Sequence, residues 1–533
     1  MTKNLKYIIL AILALQLSAC SDWLTLEPED GVTREEFWQT KEHVNSAVVG
    51  CYMSMQANTI EKMFAWGELR ADMLENGAII DNDINNVFEG EISPENSIVN
   101  WAGFYNVINN CNTVLKFAPQ VRKIDGTFTE KQLKEYEAEA LTIRAIMYFY
   151  LVRAFRDVPM TLEAYYSDDQ DLYLPTTPGD VILDTLVHDL RIAIANAPIS
   201  YPSSEKNKSR ITSWAARALL ADIFLWQERY AEANALCDEV IGSNRFSLIP
   251  VEKFEVEVGE GGIIVDTVTV ANESDADKMF VQTYVNGRSV ESIFEIPFTT
   301  DFTNPFYYFM GPTINRIRPK TDIVDGTIFP EPVYAAVPDA TDIRGLGCSY
   351  RAGLVWKYVG TSRTGDSRAA TNYTTPWIVY KYSDILLMKA EALNQIGLQT
   401  NNETAQNYYK GAIDAMSKVR KARNAVETSD YKFIENDVEG KMLEKAILQE
   451  RAREFAYEGK RWFDVLRYAK RNDYGDNNIQ YLITLAINSA SPEKLGSLMA
   501  KYRDPKHNSH YWPIYIHEIE TNKNLTQNEF YAK

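Results

Sequence analysis

The chain has 533 residues and a formal net charge of −18, with 45% hydrophobic residues. Acidity of this size disfavours nucleic acid, whose phosphates need clustered Lys and Arg, and has the wrong sign for a basic patch on anionic lipid. A chain of this length predicts two or more domains or one large helical array.

Met1–Lys6 carries two lysines, and Tyr7–Leu17 is almost wholly apolar. A basic start, an apolar run too short to span a bilayer and a small-residue break predict a secretory signal over residues 1–19. The break reads Leu17-Ser18-Ala19-Cys20-Ser21-Asp22, which resembles the lipobox of bacterial lipoproteins. That resemblance implies cleavage before Cys20 and acylation of the new N-terminus. Each buried CH₂ contributes about 0.8 kcal/mol, so several chains hold a protein to a membrane. Cleavage removes Lys3 and Lys6, moving the charge from −18 to −20. No later stretch is long and apolar enough to span a membrane, so residues 20–533 read as a lipid-tethered body.

Helical periodicity then dominates. Helices are predicted over Glu35–Ala57, Ser97–Phe117, Gln132–Phe155 and Pro178–Ala197, the third ended by Asp157-Val158-Pro159. Trp101 and Tyr105, one turn apart, read as core. Thr212–Gln227 with Tyr230–Ile241 reads as a hairpin brought close by alanines such as Ala216, Ala218 and Ala233. Pro376–Ile396 with Glu403–Arg423, and Lys441–Tyr457 with Arg461–Lys470, read as two more. Counting the pair at 132–197, four helix pairs predict a mainly α fold with tetratricopeptide-like stacking. The scaffold occupies about 30–245 and 376–533.

The middle, about 246–375, is different. Phe254–Val258 and Ile263–Val270 alternate around Gly259-Glu260-Gly261-Gly262 and predict a small β-hairpin insertion, with Ser292–Phe298 a further strand. From Thr299 to Thr375 there is no helical period, and a loop region this long and rich in aromatics reads as functional.

Charge is densest in Glu450–Arg467, where Glu450, Glu454 and Glu458 follow one another by single turns beside Arg451, Arg453, Arg461 and Arg467. Ion pairing and cross-helix tethering explain this spacing better than a glycosidase carboxylate pair facing a cleft. No nucleophile elbow, zinc-protease motif or phosphate loop is present, and the five histidines form no ligand set. His507 and His510 lie in a polar stretch and read as solvated. Cys51, Cys111, Cys237 and Cys348 have no metal or redox spacing. Asp81, Asn82 and Asp83 lack the glycine and distal Glu of a calcium loop, so neither metal nor cofactor is expected.

Glycan recognition needs aromatic platforms on positioned loops, with Asn, Asp or Arg for hydroxyls. Two regions qualify. One runs from Trp66 and Asp72 through Asn76, Asp81, Asn82 and Asp83. The other is Phe302, Asn304, Tyr307 and Tyr308, with Trp356 a further candidate.

Four segments in order then carry a family resemblance. They are Arg144–Pro159, with its Asp-Val-Pro exit; Tyr380–Ala392, reading Tyr-x-x-x-Asp-Ile-Leu-Leu-Met-x-Ala-Glu-Ala from Tyr380; Glu450–Arg467; and Trp512-Pro513-Ile514-Tyr515 followed by Asn522-x-Asn524-Leu525-Thr526-Gln527-Asn528. The chain resembles the SusD/RagB family of outer-membrane nutrient-binding lipoproteins. The resemblance implies a right-handed array of four tetratricopeptide-like units under a variable, loop-rich ligand face. It also implies a partner, a SusC-like TonB-dependent transporter that the lipoprotein covers as a lid, delivering glycan or oligosaccharide. Ser21-Asp22 is similar to the family's cell-surface export signal, and Asp342-x-Arg344 before Trp356 resembles a feature next to its site. A peptide or glycopeptide ligand is the alternative within the family; a lipid-anchored glycoside hydrolase is the alternative outside it.

Overall fold

The structure, a computed structural model, describes residues 34–532 apart from 168, 261–262, 332–336, 338–340, 401–402, 428–439 and 489. Residues 1–19, read above as a signal peptide, and Cys20 lie outside the described residues.

The described chain is mainly helical, with short strands in five two-stranded sheets. Helices of nine residues or more are α1 (Lys41–Asn58), α2 (Ile60–Glu68), α3 (Ala102–Ile124), α4 (Glu130–Phe155), α5 (Gly179–Asn196), α6 (Ser213–Trp226) and α7 (Tyr230–Gly242). After the insertion come α8 (Tyr382–Gln399), α9 (Ala405–Ala422), α10 (Gly440–Glu454), α11 (Arg461–Tyr474), α12 (Asp476–Ile487) and α13 (Leu495–Arg503).

Local chemistry explains the limits of α4. Thr129 and Gln132 form a capping box at its start, which satisfies amides that the first turn leaves without helical partners. At its end Arg156 takes φ 68°, and Val158–Pro159 leaves as a short strand. In α6 the side of Ala215, Ala216, Ala218 and Ala221 is buried, so α7 approaches closely. On α7 only Ala233 of its three early alanines is buried; Ala231 and Ala235 are exposed.

Consecutive helices pack on one another from α3 through α7, and α7 then packs directly on α8. The chain between Gly242 and Tyr382 is therefore an excursion from a continuous helical stack. Within it, β2 (Lys253–Glu260) and β3 (Ile263–Ala271) form the antiparallel hairpin. β4 (Ser292–Ile296) pairs with β6 (Trp377–Lys381), so the start of the helix expected from Pro376 is a strand. Trp377-Ile378-Val379-Tyr380 is β-branched and aromatic, and all four residues are buried against the sheet partner, which favours extended backbone. The structure adds α2, α12 and α13 to the helices expected from periodicity.

The charged segment forms a buried lattice. Glu454 accepts from Arg423 at 3.0 Å and Arg344 at 3.2 Å, and Glu450 from Arg420 at 3.1 Å and Arg453 at 2.9 Å. Glu458 accepts from Lys357 at 2.8 Å and Lys381 at 2.9 Å. Only the Glu450–Arg453 pair is within one helix; the others tie α10 and the turn after it to α9, β6 and the insertion. Burial alone would raise these carboxyls, but the adjacent cations overcome it. Glu454 is held well below the usual carboxylate range, and Glu458 falls to about 2. Carboxylates paired in this way with buried cations cross-link the elements that supply them.

Candidate functional site

The two loops singled out as ligand regions lie far apart in sequence and meet in space. β1 (Leu74–Asn76) runs antiparallel to β5 (Ile317–Pro319), with Asn76 opposite Ile317. Beyond the ladder, the Gly77 amide donates to Arg316 O at 2.8 Å and the Ile79 amide to Asn315 O at 2.8 Å. The chains approach so closely that a Cβ on Gly77 would fall on the side chain and carbonyl of Asn315, so this crossing admits only glycine. Arg316 then binds both sides: its amide donates to Phe309 O at 2.9 Å, and its guanidinium lies 3.4 Å from Asp81.

Tyr307 and Tyr308 sit on the helical turn Tyr307–Met310 beside this crossing. Tyr308 is 59% exposed. Tyr307 is half-buried and braces it edge-on, with ring centres 5.7 Å apart, and is itself braced by Tyr373 at 5.1 Å. Phe302 is 44% exposed and stacks parallel to Phe298. Ile79 and Ile80, at 44% and 58%, add apolar surface on the facing loop. Sequence reasoning missed this pair, although two adjacent β-branched residues in an Asn/Asp-rich loop were a signal; it also missed Tyr373 and Arg316.

The polar candidates on this face organise the loop. Asp81 accepts the amides of Asp83 and Ile84 at 3.0 and 3.2 Å and caps the short helix Asn82–Phe88. Asp83 accepts the Ser97 amide at 3.0 Å, and Asn76 donates to Asn85 at 2.8 Å. Asn82 is exposed. Among the described residues no group of three His, Cys, Asp or Glu could hold a metal ion.

Four expected ligand residues are corrected by their burial. Trp66 is fully buried on α2, stacked on Phe104 at 4.6 Å, with its indole N–H donating to Ile98 O at 2.8 Å. Asp72 is buried in a bidentate pair with Arg461, both contacts 3.0 Å. Asn304 is buried and stitches two loops, donating to Thr375 O at 3.0 Å and accepting the Phe306 amide at 3.1 Å. Trp356 is buried, with its N–H on Ser362 O at 2.7 Å. In each case the ring or polar head is already satisfied by protein, which is how buried polar groups persist. His510 is likewise buried, its Nε2 2.8 Å from the Tyr474 hydroxyl, and burial pushes it down to about 3.

The arrangement is thus a braced aromatic surface beside an Asn/Asp-rich loop. Comparison with known proteins says what it belongs to. A family model described as "Starch-binding associating with outer membrane" matches residues 22–225, and one described as "SusD family" matches 338–531. The chain belongs to the SusD/RagB family. One curated relative matches across nearly the whole length: SusD-like protein P38 of Formosa agariphila is 25% identical, covering 99% of each chain. A Bacteroides ovatus SusD-like protein is 26% identical over 41% of this chain and 39% of its own. Among solved structures, a SusD superfamily protein of Bacteroides vulgatus superposes with a TM-score of 0.69 at 20% identity, covering 92% of this chain and 99% of that one. A structure described as a laminarin-binding SusD-like protein superposes at 0.61, also at 20% identity, with the same coverage. The SusD/RagB family is glycan-binding and associated with the outer membrane, and its members are binding proteins rather than enzymes.

Proposed function

We propose that this protein is a surface-exposed, lipid-anchored glycan receptor that passes oligosaccharide to a SusC-like TonB-dependent outer-membrane transporter. The observation that carries the reading is the β1–β5 crossing, which sets the Asn/Asp loop beside Tyr308 and Tyr307. Flat rings held edge-on by neighbours present a sugar-stacking face at little conformational cost, while Arg316, Asp81 and Asn82 supply rim hydrogen bonds. The family description and the laminarin-binding relative favour a neutral glucan. Calorimetry or affinity gels with starch, laminarin and other polysaccharides, with mixed peptides as control, tests this. Binding to one glycan class, weakened at least about tenfold (~1.4 kcal/mol) by Tyr308→Ala, is the expected result. Binding that survives Tyr308→Ala and Tyr307→Ala together would move the site elsewhere.

Cys20 carries the anchor in this reading, and the body from Ser21 folds without it. Cys20→Ala is expected to abolish attachment to washed outer membranes in cells lacking the transporter. Retention of the variant there would contradict the anchor.

A further inference from the structure

Away from the aromatic face, a cavity of about 580 Å³ opens where the end of α4, the start of α5, the end of α11 and the segment 505–511 meet. Its volume falls in the range of small-molecule sites, about 300–1,000 Å³. The floor is Trp226, buried, with the Lys470 ammonium 4.4 Å above its ring. Lys470 makes no ion pair or hydrogen bond with any described residue. Burial pulls its ammonium down to about 8, against the weaker pull of Asp180 and Glu228 and with a push from Arg156. Of the other two cations at the wall, Lys506 is exposed to solvent, and Arg156 is engaged, donating to Asp157 at 2.8 Å and to Asn508 at 2.7 Å.

Backbone strain gathers at the same place. Of the ten non-glycine residues with positive φ among the described residues, four line this cavity: Arg156, Asp473, Tyr474 and Asn508. Such conformations persist where surrounding structure over-determines them, and they cluster at ligand sites.

We infer that this cavity is a second saccharide site, selective for a carboxylate-bearing sugar unit such as a uronic acid. The Lys470 ammonium, held over the Trp226 ring, takes the sugar carboxylate. Asp180 and Asp473, both exposed, and the half-buried Asn508 accept or donate to ring hydroxyls. The half-buried Tyr474 ring forms a side wall. A phosphate is disfavoured, because its second charge meets the carboxylates of Asp157, Asp180 and Asp473 along the same wall. The inference goes beyond the neutral-glucan reading and stands on a different surface.

Calorimetry on the full-length protein with glucuronate, glucose and acetate tests it. Glucuronate is expected to bind at least about tenfold more tightly than glucose or acetate. Lys470→Met should remove that preference, Lys470→Arg should retain it, and Tyr308→Ala should leave it unchanged. Should Lys470→Met fail to fold, Asp180→Asn provides the second test, weakening glucuronate and glucose alike. Equal affinity for glucuronate and glucose, equal affinity for glucuronate and acetate, no binding of glucuronate, or an unaltered preference in Lys470→Met would each overturn the inference. A loss confined to Tyr308→Ala would assign the binding to the aromatic face instead.

Discussion

The buried lattice around Glu450, Glu454 and Glu458 and the exposed face around Tyr307 and Tyr308 use polar chemistry in opposite ways. In the lattice each carboxylate meets several cations, drawn from the end of α9, β6, the insertion and α10 itself, and all are buried. On the face the aromatic rings are braced from behind, and their outer surfaces are left open. A group whose partners are all supplied by the fold holds the fold together. A group whose partners are supplied on one side only is available to a ligand. Charge density alone would have pointed to the wrong region.

Removing one member of the lattice should have the largest effect. Glu454→Ala leaves Arg423, Arg344 and Lys381 buried without their shared carboxylate, and is expected to cost about 3–5 kcal/mol in denaturant unfolding. A loss below about 1 kcal/mol would show that the lattice is less closed than its geometry.

Titration sharpens the same contrast. Glu458 is held near 2 in the folded protein against an ordinary 4.5, because Lys357, Lys381 and Lys460 overcome its burial. Its folded value is depressed, so the stability it contributes is present above about pH 4.5 and is lost as pH falls toward 2. The unfolding free energy should therefore fall between pH 6 and 3 by about 2 kcal/mol more in the native protein than in Glu458→Gln. Glu68 has the opposite sign. Burial raises it to about 8 despite the amides of Tyr457 and Gly459, so its contribution is present below about 4.5 and lost as pH rises through 8. Glu68→Gln should accordingly lose less stability than the native protein between pH 5 and 8. Parallel pH profiles for native protein and both variants would contradict these assignments.

The smallest effect on stability, and the most informative for the face, is expected from Gly77→Val. Its side chain would displace Asn315 at the loop crossing at a cost of about 1–3 kcal/mol. Glycan affinity should fall even though no ring is altered. Unchanged affinity would mean that the aromatic turn is positioned without the crossing.

Much of the scaffold was legible from local chemistry. The apolar period of Gln132–Phe155, the Asp157-Val158-Pro159 exit and the alanines of 215–221 act within a few residues of themselves, so their consequences could be read in place. The misplaced start of α8 has a local cause as well: Trp377–Tyr380 suits either a buried helix or a strand, and only β4 as a neighbour decides between them. The candidate site was half legible. Tyr307, Tyr308, Phe302 and the Asn76–Asp83 loop stand out by composition. Trp66, Asp72, Asn304 and Trp356 looked equally suitable, because composition does not report burial.

The sequence by itself determined the helical class, the family and the residue types available for sugar recognition, since periodicity, punctuation and short motifs are properties of neighbouring residues. Only the tertiary structure decided which aromatics stay exposed, that residues 74–79 meet 315–319, and that Lys470 faces a cavity without a partner among the described residues. Those outcomes depend on contacts between segments far apart in the chain, where burial and pairing are set by what each residue meets.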